Sequence, residues 1–173
     1  MSPRKRGLGR GLDALLATQA QSQQQEPNQG ESAEAELINL QAATAAVVVA
    51  EGSNLQVDQD SPQVLVTALV NGTSKTALQD RLDAVQDIID VAAAKVIIVN
   101  YFSSNSVEVS RYRTTTKEIA FLAKANEIVD ALDVVITITN TNESGNKNTK
   151  YTITVSKNAA SQSFDVAVTF LRS

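Results

Sequence analysis

The sequence predicts an α+β domain, in which helices and strands are mixed without a regular strand–helix–strand alternation. Near the C-terminus, three segments alternate apolar and polar residues with a period of two: 134–139, 151–155 and 164–170. Upstream, apolar residues at spacings of four, three and four form one face of a helix: Leu78, Leu82, Val85 and Ile89. We therefore expect two or three helices followed by a C-terminal three-stranded antiparallel meander.

The composition allows a packed core but excludes several kinds of catalytic site. Of the 173 residues 43% are hydrophobic and 4% aromatic, so the core must be mainly aliphatic. The chain has no His and no Cys, which excludes Ser-His-Asp triads, cysteine nucleophiles and thiolate zinc sites. We expect a protein that is not an enzyme and that needs no cofactor or metal ion.

Charge divides the chain into three parts. Residues 1–16 carry four cations and one acid, whereas residues 17–36 carry four Glu and no cation. The second part is also rich in Gln and lacks large apolar residues, so it cannot offset its ordering entropy. We expect a basic peptide over 1–16, a disordered linker over 17–36 and a globular domain over 37–173.

The first half of the domain is predicted from short β-branched runs. Ala45–Ala50 and Val64–Val70 are expected to be strands, and Asn71-Gly72 to be a turn. The helix that contains Leu78 is expected to start at Thr76. A second helical segment, capped by Asp90, extends towards Phe102, although Val96–Val99 fits a strand equally.

The second half begins with a short alternating strand over Val107–Arg111. Thr116 and Glu118 then open another helix. Its predicted apolar face consists of Ile119, Leu122, Ala125 (or Asn126) and Val129, with Leu132 near its end.

No membrane segment is expected from the sequence. The longest apolar run is far shorter than the roughly 18–20 residues of a membrane span. The basic start is not followed by the apolar core of a signal peptide, because Leu12–Ala17 is short and contains Asp13. These features favour a cytoplasmic protein with no membrane partner.

The basic peptide carries the one specific motif. Residues 4–16 read RKRGLGRGLDALL, which closely resembles the N-terminal box of ParB-type chromosome and plasmid partition proteins. The resemblance implies that this box binds a ParA-type ATPase and stimulates its hydrolysis of ATP. The residues it assigns to partner binding are Arg4, Lys5, Arg6, Leu8, Arg10, Leu12, Leu15 and Leu16.

The same family binds centromere DNA and CTP through its other domains. Beyond residue 41 this sequence has no GERR-type phosphate-binding run, no helix-turn-helix pattern and no basic DNA-reading helix. DNA as a partner is therefore implied by the resemblance alone and is not supported by the body of the chain.

The physical chemistry of the box agrees with a peptide that folds on its partner. Leu8, Leu12, Leu15 and Leu16 lie at i, i+4, i+7 and i+8, on one stripe of a helix. The three interspersed glycines each cost about 1 kcal/mol in a helix, so the free peptide should be disordered. Once bound, Arg10 could bring a planar guanidinium to a phosphate.

The C-terminal body has a different resemblance. The stretch KYTITVSKNAASQSFDVAVTF resembles immunoglobulin-like modules of bacterial surface proteins in its Thr- and Val-rich strand pattern. This similarity gives a second hypothesis, in which the chain is a surface or structural binding module whose function lies in 37–173. Because the two ends resemble different families, a fused or chimeric chain also stays open, as do the body's ligand and the oligomeric state.

Two further clusters of charge lie in the body. A possible phosphate contact is formed by Arg111, Tyr112, Arg113 and Lys117, with Tyr112 stacking on a base; an exposed strand–helix junction explains the same residues. Four acids are spaced along one helix face, where a solvated surface is favoured over a metal site: Asp80, Asp83, Asp87 and Asp90.

Overall fold

The computed structural model describes residues 29–144 and 147–173, and the chain divides into two units, 1–38 and 39–173. The first three described elements are helices: α1 (Gln29–Ser53), α2 (Gln56–Ala68) and α3 (Thr73–Ser104). The remaining elements are β1 (Ser106–Val109), α4 (Thr114–Val129), a 3₁₀ turn (Asp130–Leu132), β2 (Val135–Ser144), β3 (Asn148–Lys157) and β4 (Ala160–Arg172). The described residues thus form a mixed helix and strand fold, as expected, with four α-helices instead of two or three.

The two strands predicted in the first half are wrong, because both segments are helical. Ala45–Ala50 belongs to α1 and most of Val64–Val70 to α2. In α1, Ala43, Val47 and Ala50 are fully buried at spacings of four and three, the pattern of one helix face. A short run of Ala and Val fits a strand or a buried helix, and packing against neighbouring helices selects the helix here.

The predicted linker overlaps the start of α1. Residues 29–36 are helical, so this end of the linker is corrected, while residues 1–28 lie outside the described part of the chain. Within α1, the segment Ser32–Ser53 has the length and apolar composition of a membrane span, with a mean hydropathy of 1.3. A buried core helix and a signal sequence can share this length and composition, and 17% of the window is buried in this structure.

The sheet has four strands in the order β1-β4-β3-β2. Strands β2, β3 and β4 are neighbours paired antiparallel, and β1 extends this group by pairing parallel to β4. In the register, Tyr151 lies opposite Val166, Ile153 opposite Phe164, and Val107 opposite Phe170. The expected three-stranded meander is therefore part of a larger, mixed sheet.

Helix α3 is continuous and contributes to two separate cores. Its first half buries Leu78, Leu82 and Val85 in a cluster with α1 and α2. Its second half buries Val91, Ala94, Ile98 and Phe102 in the core formed with the sheet and α4. Val96–Val99, for which a strand was the alternative, is helical, and Asp90 lies inside the helix and caps nothing.

The predicted apolar face of α4 is confirmed at Ala125 and Val129, which are buried, and is wrong at Ile119. The buried residues are Lys117, Phe121, Ala125 and Val129, each one helical step of four apart. Ile119 is 65% exposed. The prediction omitted Phe121, which is the largest apolar residue of the helix and fixes the face that turns towards the sheet.

Candidate functional site

The residues assigned to ATPase binding all belong to the basic peptide. Arg4, Lys5, Arg6, Leu8, Arg10, Leu12, Leu15 and Leu16 lie outside the described residues. Their role therefore stays a prediction from the motif.

The predicted phosphate contact at Arg111, Tyr112 and Arg113 lies between β1 and α4. Arg111 and Arg113 are exposed, and Arg113 occupies the N-cap position of α4 with an extended backbone. Tyr112 is half-buried because its ring packs against the sheet core, so part of its surface is unavailable for stacking on a base. Of the predicted phosphate contact, the two arginines therefore remain exposed, at the junction between β1 and α4.

Lys117, the fourth member of that cluster, is fully buried and is removed from it. Its Nζ lies 2.7 Å from Glu143 Oε1 and donates a hydrogen bond of 3.0 Å to Thr149 Oγ1. The same Nζ lies 5.8 Å from the centre of the Phe170 ring. An amino group enclosed by a carboxylate, a hydroxyl and an aromatic ring cannot contact an external phosphate.

Glu143 occupies the place where an anion would approach the N-terminus of α4. Besides Lys117, the Thr114 hydroxyl donates a hydrogen bond of 3.0 Å to its Oε1. The hydrogen bond from Lys117, and then the one from Thr114, lower the pKa of the Glu143 carboxyl. The positive end of α4 is thus already neutralised from within the chain, which weakens the phosphate hypothesis.

A stack of aromatic rings lies beside Lys117. The rings of Phe121 and Tyr151 are stacked with centres 4.6 Å apart, and Phe102 and Phe170 contact them. The Tyr151 hydroxyl is buried and makes no hydrogen bond of regular geometry among the described residues, although the nearby Thr149 side chain partly opposes the rise of its pKa. Burial raises the pKa of Tyr151 far above its usual range, so the phenol stays neutral at physiological pH.

Of the four acids on α3, two contact residues at the end of β3 and two are exposed to solvent. Asp90 Oδ2 lies 2.8 Å from Lys157 Nζ, and Asp87 accepts a hydrogen bond of 2.9 Å from Asn158. Asp80 and Asp83 are exposed. The last two acids therefore fasten α3 to the turn between β3 and β4, and the expected solvated face holds for the first two.

The buried polar contacts of the body link chain segments and form no open chemical site. Within the described ranges, no group of three or more His, Cys, Asp or Glu side chains could hold a metal ion. Sequence reasoning missed Lys117 and Glu143 as partners, although Lys117 shares the four-residue spacing of Phe121, Ala125 and Val129. Glu143 gives no comparable signal, because only the β2–β3 pairing brings it to α4.

The chain was compared with protein families, curated proteins and solved structures. No protein family, no curated protein and no solved structure matches this chain.

Proposed function

We propose that this chain is a non-enzymatic partition partner, in which residues 4–16 bind a ParA-type ATPase and stimulate its ATP hydrolysis. The single observation that carries the proposal is the thirteen-residue sequence RKRGLGRGLDALL at the start of the chain. In this proposal the mixed helix and strand domain is the body to which that peptide is attached.

The roles of the leucines and the arginine in the peptide differ. Leu8, Leu12, Leu15 and Leu16 form one apolar stripe that can enter a groove on the ATPase when the peptide becomes helical. Arg10 can supply a guanidinium to the negative charge that develops on the phosphates during hydrolysis. Binding therefore depends mainly on the leucines, and stimulation depends on binding and on Arg10 together.

The direct test measures ATP turnover by a ParA-type ATPase that responds to genuine ParB peptides. The full chain and a peptide of residues 1–20 should both raise the turnover rate. Absence of stimulation by both would overturn the proposal. Arg10→Ala should abolish stimulation while reducing affinity much less, whereas Leu12→Ala should reduce both.

Lys124→Ala in the full chain is the matched control, because it also removes one positive charge. Lys124 lies on α4, where it pairs with Glu127 on the surface. Its loss should leave stimulation unchanged. Equal losses for Arg10→Ala, Leu12→Ala and Lys124→Ala would contradict the assigned roles and indicate a nonspecific effect of charge.

A second candidate function, a binding module, is favoured by the open face of the sheet. The buried sheet residues turn towards α3 and α4. Hydroxyl and charged side chains cover the opposite face, which no described helix covers: Thr137, Thr139, Thr154, Ser163 and Asp165. The neighbouring open reading frames discriminate the two, since an adjacent ATPase gene favours partition and an export signal or tandem copies favour a surface module.

A further inference from the structure

The bend between α2 and α3 contains the one Asn-Gly dipeptide of the chain, Asn71-Gly72. Because α2 ends at Ala68 and α3 begins at Thr73, both residues lie outside the helices. Both are also exposed, as is Val70 before them. Asn and Gly are typical of such bends, since Asn tolerates unusual backbone angles and Gly has no Cβ. The dipeptide is therefore open to water and belongs to no regular element.

The backbone nitrogen of Gly72 is unshielded. The Gly72 carbonyl accepts hydrogen bonds from the Thr76 amide at 3.1 Å and from the Thr76 hydroxyl at 3.2 Å, whereas the Gly72 N–H donates to no described residue. The backbone of Gly72 is extended, with φ 168° and ψ 179°. A Cβ at this position would have no neighbour within 4 Å outside the adjoining residues. The nitrogen is thus accessible to the side chain that precedes it.

The side-chain amide of Asn71 is equally unrestrained. The side-chain hydrogen bonds around this bend run from Lys75 to the carbonyls of Thr67 and Leu69, and from Thr76 to the Gly72 carbonyl. Among the described residues, none of these bonds includes the Asn71 amide. Its Cγ can therefore rotate towards the Gly72 nitrogen without breaking a contact.

The other asparagines in the described ranges lack this combination. Three of them donate a side-chain hydrogen bond of 2.8–2.9 Å to another residue: Asn105, Asn126 and Asn158. The remaining ones lie in helices or strands, or precede a bulky residue, as Asn54 precedes Leu55. Each of these asparagines is followed by a residue with a Cβ, which restricts the next backbone nitrogen.

We propose that Asn71 is a site of spontaneous deamidation, with water as the only co-reactant. The Gly72 nitrogen loses its proton to hydroxide and attacks Cγ of Asn71, which closes a succinimide ring. The bond from Cγ to the side-chain nitrogen breaks, and this nitrogen takes a proton from water and leaves as ammonia. Water then opens the ring at either carbonyl and gives aspartate or isoaspartate. The sum of the steps exchanges NH2 for OH, and nothing is oxidised or reduced.

The product changes the connection between α2 and α3. Gly72 is the N-cap of α3 and supplies no side-chain hydrogen bond there, so the new carboxylate lies beside helix amides that no side chain caps. The positive end of the helix dipole favours a negative charge at this position. Isoaspartate also lengthens the main chain by one carbon between two helices that are joined through Gln63 and Gln79. Deamidation therefore alters both the charge and the backbone of this bend.

The first test follows the full chain during incubation at mildly alkaline pH. Intact-mass spectrometry and an ammonia assay measure the loss of side-chain nitrogen, and a protease that cuts before Asp locates it. The unmodified chain gives the peptide 60–79. Aspartate at position 71 creates a new cut within this peptide, whereas isoaspartate leaves it whole with a changed mass.

Conversion at Asn71 should be at least about tenfold faster than at any other described asparagine, because only here does glycine follow. The rate should rise with pH, since the attacking nitrogen must lose its proton. No conversion at Asn71, or conversion no faster than at Asn105, would overturn the proposal.

Two variants separate the groups that react. Gly72→Ala should slow conversion about tenfold, because a Cβ limits the approach of the nitrogen. The open space and the extended backbone at Gly72 are compatible with alanine, so the fold should be kept. Asn71→Gln should abolish conversion at this position, since the longer side chain would have to close a larger ring. Asn105→Gln is the matched control and should leave the release of ammonia unchanged, and equal rates in Gly72→Ala and the unaltered chain would refute the attack by Gly72.

A last comparison distinguishes the fold from the local sequence. The rate in the chain unfolded by guanidinium chloride should exceed the folded rate by less than about tenfold, because the bend already leaves both groups free. Conversion confined to the unfolded chain would mean that the fold protects Asn71, and would overturn the proposal. Circular dichroism checks that the variants are folded. None of these measurements uses residues 4–16, so their outcome is independent of the proposed binding of an ATPase.

Discussion

Lys157 and Asp90 are 67 positions apart in the chain, and their charged groups lie 2.8 Å from each other. The pair joins the end of β3 to the middle of α3, and the Lys157 Nζ also donates a hydrogen bond of 2.9 Å to the carbonyl of Leu132. Gln86 donates to the second carboxylate oxygen of Asp90 at 2.7 Å. Helix, turn and sheet are thus fastened at one partly buried point.

Breaking this pair should destabilise the domain. We expect Asp90→Asn and Lys157→Gln each to lower the free energy of unfolding by about 1–2 kcal/mol, because one charged group is left partly buried without its partner. Chemical denaturation of both single variants and the double variant should give a coupling energy of about 0.5–3 kcal/mol. The exposed pair of Lys124 and Glu127 serves as control and should show no measurable coupling.

The two halves of the Lys117–Glu143 pair should respond differently to substitution. Glu143→Ala leaves the buried Lys117 ammonium unpaired and should cost about 1–3 kcal/mol, reduced from a fully buried case because Glu143 is 41% exposed. Lys117→Met removes the buried charge and keeps an apolar chain of similar length, so stability should change little or rise. Denaturant midpoints of the two variants check this order, and a larger loss for Lys117→Met would contradict it.

Acid should weaken the same pair. Lys117 and Thr114 lower the pKa of Glu143 in the folded state, so its contribution is fully present above the ordinary value of 4.5 and is lost as pH falls through the lower folded value. The free energy of unfolding should therefore fall below about pH 4.5. In Glu143→Gln this part of the pH dependence should be missing, and parallel pH profiles for the two proteins would refute the assignment.

The Tyr151 hydroxyl should contribute little to stability. It is buried without a hydrogen bond of regular geometry among the described residues, so the folded state bears its desolvation cost. We expect Tyr151→Phe to keep the ring stack on Phe121 and to leave the unfolding free energy unchanged or up to about 1 kcal/mol higher. Thermal unfolding measures this, and a loss of more than 1 kcal/mol would reveal a partner of the hydroxyl.

The buried face of α4 can be tested by two truncations. Phe121→Ala removes a fully buried ring from the core and should cost about 3–5 kcal/mol. Ile119→Ala, at a residue 65% exposed, should stay within about 0.5 kcal/mol. Comparable losses in the two variants would mean that the helix is rotated towards the face predicted from the sequence.

The sequence by itself determined the elements whose pattern is local. Leu78, Leu82 and Val85 share one helix face because their spacing matches the helical period, and the structure buries all three. The strands around Ile136, Ile153 and Val166 were also predicted, because alternation fits only a half-buried strand. The absence of His and Cys and the motif at residues 4–16 likewise needed no structure.

Only the tertiary structure decided the elements whose local pattern is ambiguous. The local sequence of Ala45–Ala50 is compatible with a strand or a helix. The helix is selected because packing against α2 and α3 buries Val47 and Ala50. From the sequence, Lys117 is predicted to be a surface cation. In the fold, β2 brings the Glu143 carboxylate within 2.7 Å of its Nζ. The pairing of β1 with β4 also joins residues more than sixty positions apart. Such long-range contacts, and not local propensity, set the free energy of these segments.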